Sequence, residues 1–113
     1  MESNMVENQA LNPLDSIGLV EQYFENNFKE YILLKKTNYT GYWWIEYFNG
    51  LDTKVCFDGD IGGHFSIKII IGDTENYLWQ FDRSVNNATK STSKNILYQL
   101  DTLKRFLTES PKT

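Results

Sequence analysis

His64 and Cys56 are the only histidine and the only cysteine in the chain. They are where nucleophilic or metal chemistry would have to start. A thiol activated by an imidazole needs the two groups within hydrogen-bond reach. Cys56 precedes a glycine-rich turn and His64 follows it, so a hairpin could bring them together. No oxyanion-hole motif or helix start accompanies the pair, and one histidine with one cysteine falls short of a structural zinc set. The sequence reads Cys56 as a small buried apolar residue and His64 as a polar strand end. No catalytic residue, metal or cofactor is expected.

The carboxylates come next. Asp58-Gly59-Asp60, with Asp73, Glu75 or Asp82 nearby, could offer oxygen ligands to Ca²⁺ or Mg²⁺. The twelve-residue ligand pattern ending in Glu is missing. A tight turn whose Asp side chains accept from their own backbone amides is the expected reading. Gly59, Gly62 and Gly63 match neither a dinucleotide nor a Walker pattern. The serines of residues 84–93 lack the strand-to-helix elbow of a hydrolase. An enzyme is not expected.

The strongest chemical signal is aromatic. In Tyr42–Phe48, Trp43, Ile45 and Tyr47 form one face of a strand, and Tyr42, Trp44, Glu46 and Phe48 form the other. A sheet with one wet face normally shows polar residues there. Large apolar residues rimmed by acids suggest a docking surface, and Trp and Tyr are frequent anchors in such surfaces. The expected partner-binding set is Tyr42, Trp44, Glu46, Phe48, Asp58, Asp60, Asp73, Glu75 and Asp82. The alternatives are a helix covering each face, or an interface between copies of the chain.

The elements that must position these residues follow from periodicity. Residues 1–11 have none and read as a loose tail. Asn12-Pro13 reads as an N-cap and first helical position. Ile17, Val20, Phe24, Phe28 and Tyr31 then recur at helical spacing, with Gly18 weakening the helix by about 1 kcal/mol relative to Ala. Tyr31–Leu34 is either the last helical turn or a short first strand, which periodicity does not separate; a strand is favoured, because residues 37–41 read as a turn after it. Asn49-Gly50 marks a hairpin. Thr53–Phe57 and His64–Ile71 alternate with period two, and Gly72–Asn76 closes another hairpin. Tyr77, Trp79 and Phe81 read as the inner face of a fifth strand. Residues 84–93 read as a loop with Ser93 as N-cap. Ile96, Leu100, Leu103 and Leu107 then make a second amphipathic helix, stopped at Ser110-Pro111.

The expected fold class is therefore α+β. An N-terminal helix, an antiparallel meander of four to five strands and a C-terminal helix form one domain over residues 12–109. A tail covers 110–113, and both helices pack on one sheet face. The expected inner set is Trp43, Ile45, Tyr47, Val55, Phe57, Phe65, Ile67, Ile69, Tyr77, Trp79 and Phe81. Each contributes roughly 1.5–3 kcal/mol when fully buried, before entropy is subtracted.

The whole chain has 113 residues, room for one core. It carries 15 acidic side chains against 11 basic, a formal net charge of −4. Residues 44–82 alone carry net −5, from seven acids and two bases. That balance argues against nucleic acid as partner, even by base stacking on an aromatic sheet, because phosphate binding relies on Lys and Arg. A single cysteine excludes an intrachain disulfide. No apolar run approaches the ~18 residues of a membrane helix, and no signal peptide is evident. The expectation is cytoplasmic, with no membrane partner.

Asp58-Gly59-Asp60, then Phe65, then Lys68-Ile69 in a strand, resembles a segment of one family among the small immunity proteins of bacterial polymorphic and contact-dependent toxin systems. The likeness covers about a dozen residues. At the level of the class, a small, acidic, single-domain chain is also similar to these proteins. The resemblance implies a cytoplasmic protein that neutralises one cognate toxin by direct binding, the toxin commonly being a basic nuclease. Alone, such a chain would be a monomer or a homodimer. Two alternatives remain open: a non-enzymatic homo-oligomeric domain, and a small-ligand or enzymatic domain using Cys56 and His64.

Overall fold

The computed structural model describes residues 9–109. Helix α1 spans Pro13–Asn27. Five strands follow: β1 (Ile32–Tyr39), β2 (Tyr42–Phe48), β3 (Thr53–Asp60), β4 (Phe65–Ile71) and β5 (Thr74–Tyr77). A single helical turn, α2 (Leu78–Phe81), and a 3₁₀ turn (Arg83–Asn87) lead into α3 (Ser93–Glu109). The strands form one antiparallel sheet in the order β1-β2-β3-β4-β5, as hairpin-length loops require. Among the described residues no helix is long and apolar enough to cross a membrane.

Helix α1 starts where expected: the Asn12 side chain accepts from the Asp15 amide at 2.8 Å, and Pro13 needs no such partner. Its inward stripe is Ile17, Val20, Phe24 and Phe28. The inward stripe of α3 is Ile96, Leu100, Leu103 and Phe106. The helices run in the same direction side by side, bridged by Tyr23 to Asp101 (2.6 Å) and Lys104 to Asn27 (3.1 Å). Both stripes join one core with Trp43, Ile45, Tyr47, Val55, Phe57, Phe65, Ile67 and Ile69. Among the described residues the opposite face of the sheet carries no helix.

The core is largely aromatic. Phe24 stacks on Tyr47 with centroids 4.1 Å apart, and Phe57 meets Phe24 edge-on at 5.5 Å. Trp43 lies against Phe65 at 5.8 Å. Gly59, opposite Trp43 in register, gives the indole its place: a Cβ there would lie 2.6 Å from the Trp43 Cε2.

Five expectations are corrected. Strand β5 stops at Tyr77, so Tyr77, Trp79 and Phe81 are not core. The chain turns into α2, which buries Leu78 and leaves Trp79 46% exposed. The first strand is twice as long as expected, eight residues, and its turn is only Thr40-Gly41, with Gly41 at φ +84°. Its residues are nearly all exposed, so no alternation betrays it. Thr92 rather than Ser93 caps α3, accepting from the Asn95 amide at 3.1 Å. On α3, Leu107 is only partly buried, and Phe106 takes the inward position. Finally, Ala10 and Leu11, read as tail, are held: Ala10 bridges Thr92, and the Leu11 amide bonds the Ser91 carbonyl at 2.8 Å. The rest of the expected tails, residues 1–8 and 110–113 with the Ser110-Pro111 stop, lies outside the described residues.

The two glycines predict opposite signs. Gly59→Ala forces the indole aside and should cost about 3 kcal/mol. Gly18→Ala, in open space on α1, should add about 0.5–1 kcal/mol. Urea unfolding followed by tryptophan fluorescence measures both. By the same measurement Trp43→Ala should cost about 3–5 kcal/mol, and the exposed Trp79→Ala less than about 1 kcal/mol.

Candidate functional site

Register places the outer-face residues in rows. At one end Tyr39, Tyr42 and Asp60 lie side by side. The next row is Thr37, Trp44, Asp58 and Ser66, and then Lys35, Glu46, Cys56, Lys68 and Tyr77. The last is Ile32, Phe48, Lys54, Ile70 and Glu75. Tyr42 is 40% exposed and Trp44 and Phe48 are half-buried, with no covering element over them among the described residues.

Polar groups tie this face together. The Trp44 indole N–H donates to the Glu46 carboxylate at 2.6 Å. Lys54 approaches the other oxygen of Glu46 at 3.7 Å. Lys68 lies 6.0 Å from the Trp44 ring centroid and 3.6 Å from Glu75, which also accepts from the Tyr77 hydroxyl at 3.0 Å. Ser66 donates to Asp58. With its N–H engaged, Trp44 has only ring surface left to offer a partner. The cation beside it is worth about 0.5–1 kcal/mol at such a site.

The sequence set thus divides. Tyr42, Trp44, Glu46, Phe48, Asp58, Asp60 and Glu75 do share the uncovered side of the sheet. Asp73 sits in the β4–β5 turn, at the far end of the sheet from Asp60. Asp82 belongs elsewhere, on the helical side of the sheet. It accepts from the Ser84 amide at 3.0 Å and pairs with Arg105 of α3 at 2.7 Å. Those Ser84 and Arg105 hydrogen bonds hold its carboxyl down at about 2, well below the usual range. The reason is the early end of β5: once the chain turns at Leu78, Asp82 is carried round to α3.

The sheet segment is also less acidic in space than along the chain. Lys35, Lys54 and Lys68 stand among Glu46, Asp58 and Glu75. Carboxylates without a lysine beside them concentrate at the Tyr42 end. There Asp58 and Asp60 adjoin Tyr39 (66% exposed) and Ile61, whose amide bonds the Gly41 carbonyl at 3.3 Å. Tyr39, Ile61, Lys35 and Tyr77 are the surface residues that sequence reasoning missed. Tyr39 was hidden in an expected turn and Tyr77 in an expected core strand.

The Cys56–His64 pair is not assembled. Cys56 pairs in register with Lys68, four residues beyond His64, about 13 Å along the strand. Burial, and Glu46 beside it, push the Cys56 thiol up to about 11, the opposite of activation. The Asp60 side chain accepts from the His64 amide at 3.2 Å, the expected self-capping turn. Among the described residues no group of three or more His, Cys, Asp or Glu side chains is placed to hold a metal ion.

The native thiol should therefore resist alkylation at pH 8 and react only on unfolding in urea, as a thiol-counting reagent would show. Its pKa is raised on folding, so its contribution to stability is full below the unfolded thiol value. That contribution falls as pH rises toward 11. Cys56→Ala should remove the thiol's part of the alkaline slope, which sets in first, and leave the part due to Tyr31 and Tyr47, whose pKa values burial also raises.

The chain matches no protein-family model, no curated protein and no solved structure.

Proposed function

We propose that this chain is an immunity-type protein, which docks a basic, nuclease-like toxin domain on the uncovered face of its sheet and thereby neutralises it. The observation that carries this reading is that both helices lie on one side of the sheet, while Tyr42, Trp44 and Phe48 line the other. Aromatic side chains on an uncovered face are poorly explained by stability alone. They are the side chains that most often anchor protein interfaces. Asp58 and Asp60, beside Tyr42 and Trp44, supply negative charge where a cationic active site would be steered and held. The protein would act in the bacterial cytoplasm, without a cofactor and without catalysing a reaction.

A second reading uses the same face for self-association. The interleaving of Lys54 and Lys68 with Glu46 and Glu75 favours it, because such a face can meet its own image with opposite charges opposed. Sedimentation separates the two readings: a monomer at high concentration supports the first, a tight dimer the second.

The partner to test is a basic, nuclease-like toxin domain, to be sought at the end of the adjoining upstream reading frame. Trp44→Ala should weaken binding to it by about 30-fold, roughly 2 kcal/mol, and change unfolding stability by no more than about 1 kcal/mol. Unchanged affinity on titration calorimetry, or a loss of stability as large as that of Trp43→Ala, would remove this face from the proposal.

A further inference from the structure

Strand β1 is the sheet's outermost strand on one side and has no strand beyond it among the described residues. It is long for an edge, eight residues, and Ile32, Leu33 and Leu34 are 58%, 43% and 49% exposed. A free edge offers a row of unpaired backbone donors and acceptors, which natural proteins usually shorten, charge or cover. Here the devices are an irregularity between Leu33 and Lys35 and two central lysines. The lysines differ. Lys36 faces the helices and is matched by Glu21 at 2.7 Å. Lys35 faces the uncovered side opposite Glu46, but Glu46 is engaged by Trp44 and Lys54. Lys35 makes no ion pair among the described residues.

We propose that the free edge of β1 receives an extended, acidic segment of another protein by antiparallel strand addition, with a carboxylate opposite Lys35. Backbone pairing supplies the affinity and side-chain pockets on alternate positions supply the choice of sequence. An apolar or aromatic residue opposite Tyr39 and another opposite Ile32 would extend the uncovered face by one strand. A second copy is a poor occupant. Opposed residues of an antiparallel pair share a face, so the two central twofold registers of this strand set Lys35 against Lys35 or Lys36 against Lys36, and like charges directly opposed are destabilising. The other edge, β5, has four residues, and joining it head to tail to β1 gives an open fibre rather than a closed pair. This inference stands apart from the docking of a basic domain on the outer face.

The test uses short acetylated peptides of alternating Thr and Val, one with a central Glu and one with Lys in its place. Amide exchange of residues 32–39 is followed by NMR at low salt. The Glu peptide should slow exchange along β1 and bind about fivefold more tightly than the Lys peptide. In Lys35→Glu that preference should reverse, and in Lys35→Gln it should vanish while exchange in β2–β4 stays unchanged. Three results would overturn the proposal: no β1 protection by either peptide at millimolar concentration, an affinity ratio that Lys35→Glu leaves untouched, or β1 protection that grows with protein concentration alone.

Discussion

Trp43 lying across Gly59 sets the geometry on which the other features depend. The indole fills the space a Cβ would need, so β2 and β3 fit together in one register around that pair. Side chains alternate with period two, so a slip of one residue would send Trp43, Ile45 and Tyr47 outward and Trp44 and Glu46 into the core. The contact therefore fixes more than local packing. It decides that Trp44 meets Asp58 and that Glu46 meets Cys56, itself opposite Lys68, across the outer face. It also aligns Tyr42 with Asp60, where β3 gives way to the turn. Phe65, stacked on Trp43 and opposite Gly59 in register, carries the same constraint to β4.

Much of this was legible in the sequence because burial on one side imprints alternation. Trp43-Ile45-Tyr47, Val55-Phe57 and Phe65-Ile67-Ile69 are all buried as their spacing demands, and Ile17, Val20 and Phe24 follow the helical period. The failures occur where burial does not act on every second residue. Strand β1 is exposed on both sides, so Lys35-Lys36-Thr37 carries no pattern to read. Tyr77-Leu78-Trp79-Gln80-Phe81 alternates convincingly, but only Leu78 is buried. A one-turn helix is too short to show its own period, and the deciding fact, that Leu78 packs into the core beneath the sheet edge, is tertiary.

The polar connection between α2 and α3 shows the same limit. Its composition says loop, but it is pinned on several sides. Gln99, buried on α3, donates to the carbonyls of Ala88 and Phe65 at 2.7 and 3.3 Å. The Phe65 amide bonds the Thr89 carbonyl at 2.8 Å and the Ser91 amide bonds that of Gly63 at 2.7 Å. A buried carbonyl needs a donor, and one glutamine supplies two. This segment, with Ala10 and Leu11 alongside, closes the end of the helix–sheet layer that the hairpins leave open. A polar residue at helical spacing in α3 was the available sequence signal, and it reads as solvent-facing until its partners are known.

Charge is where sequence and space diverge most. Counted along the chain, residues 44–82 are strongly acidic. Counted across the outer face, lysines from three strands interrupt the carboxylates, because neighbours in a sheet are far apart in sequence. Asp82 leaves the face altogether, for a cap and an arginine. Among the described residues, what remains unbalanced on this face is confined to two places: carboxylates at the Tyr42 end, and Lys35 in the middle of the free edge. Neither contributes to the core, which the inner face, the two long helices, Leu78 and Val85 make up. A single-layer sheet covered on one side separates the residues that make the domain stable from those free to be chosen for contact. On this chain the second group is aromatic and unevenly charged, so a partner that satisfies it must bring both apolar surface and placed counter-charges.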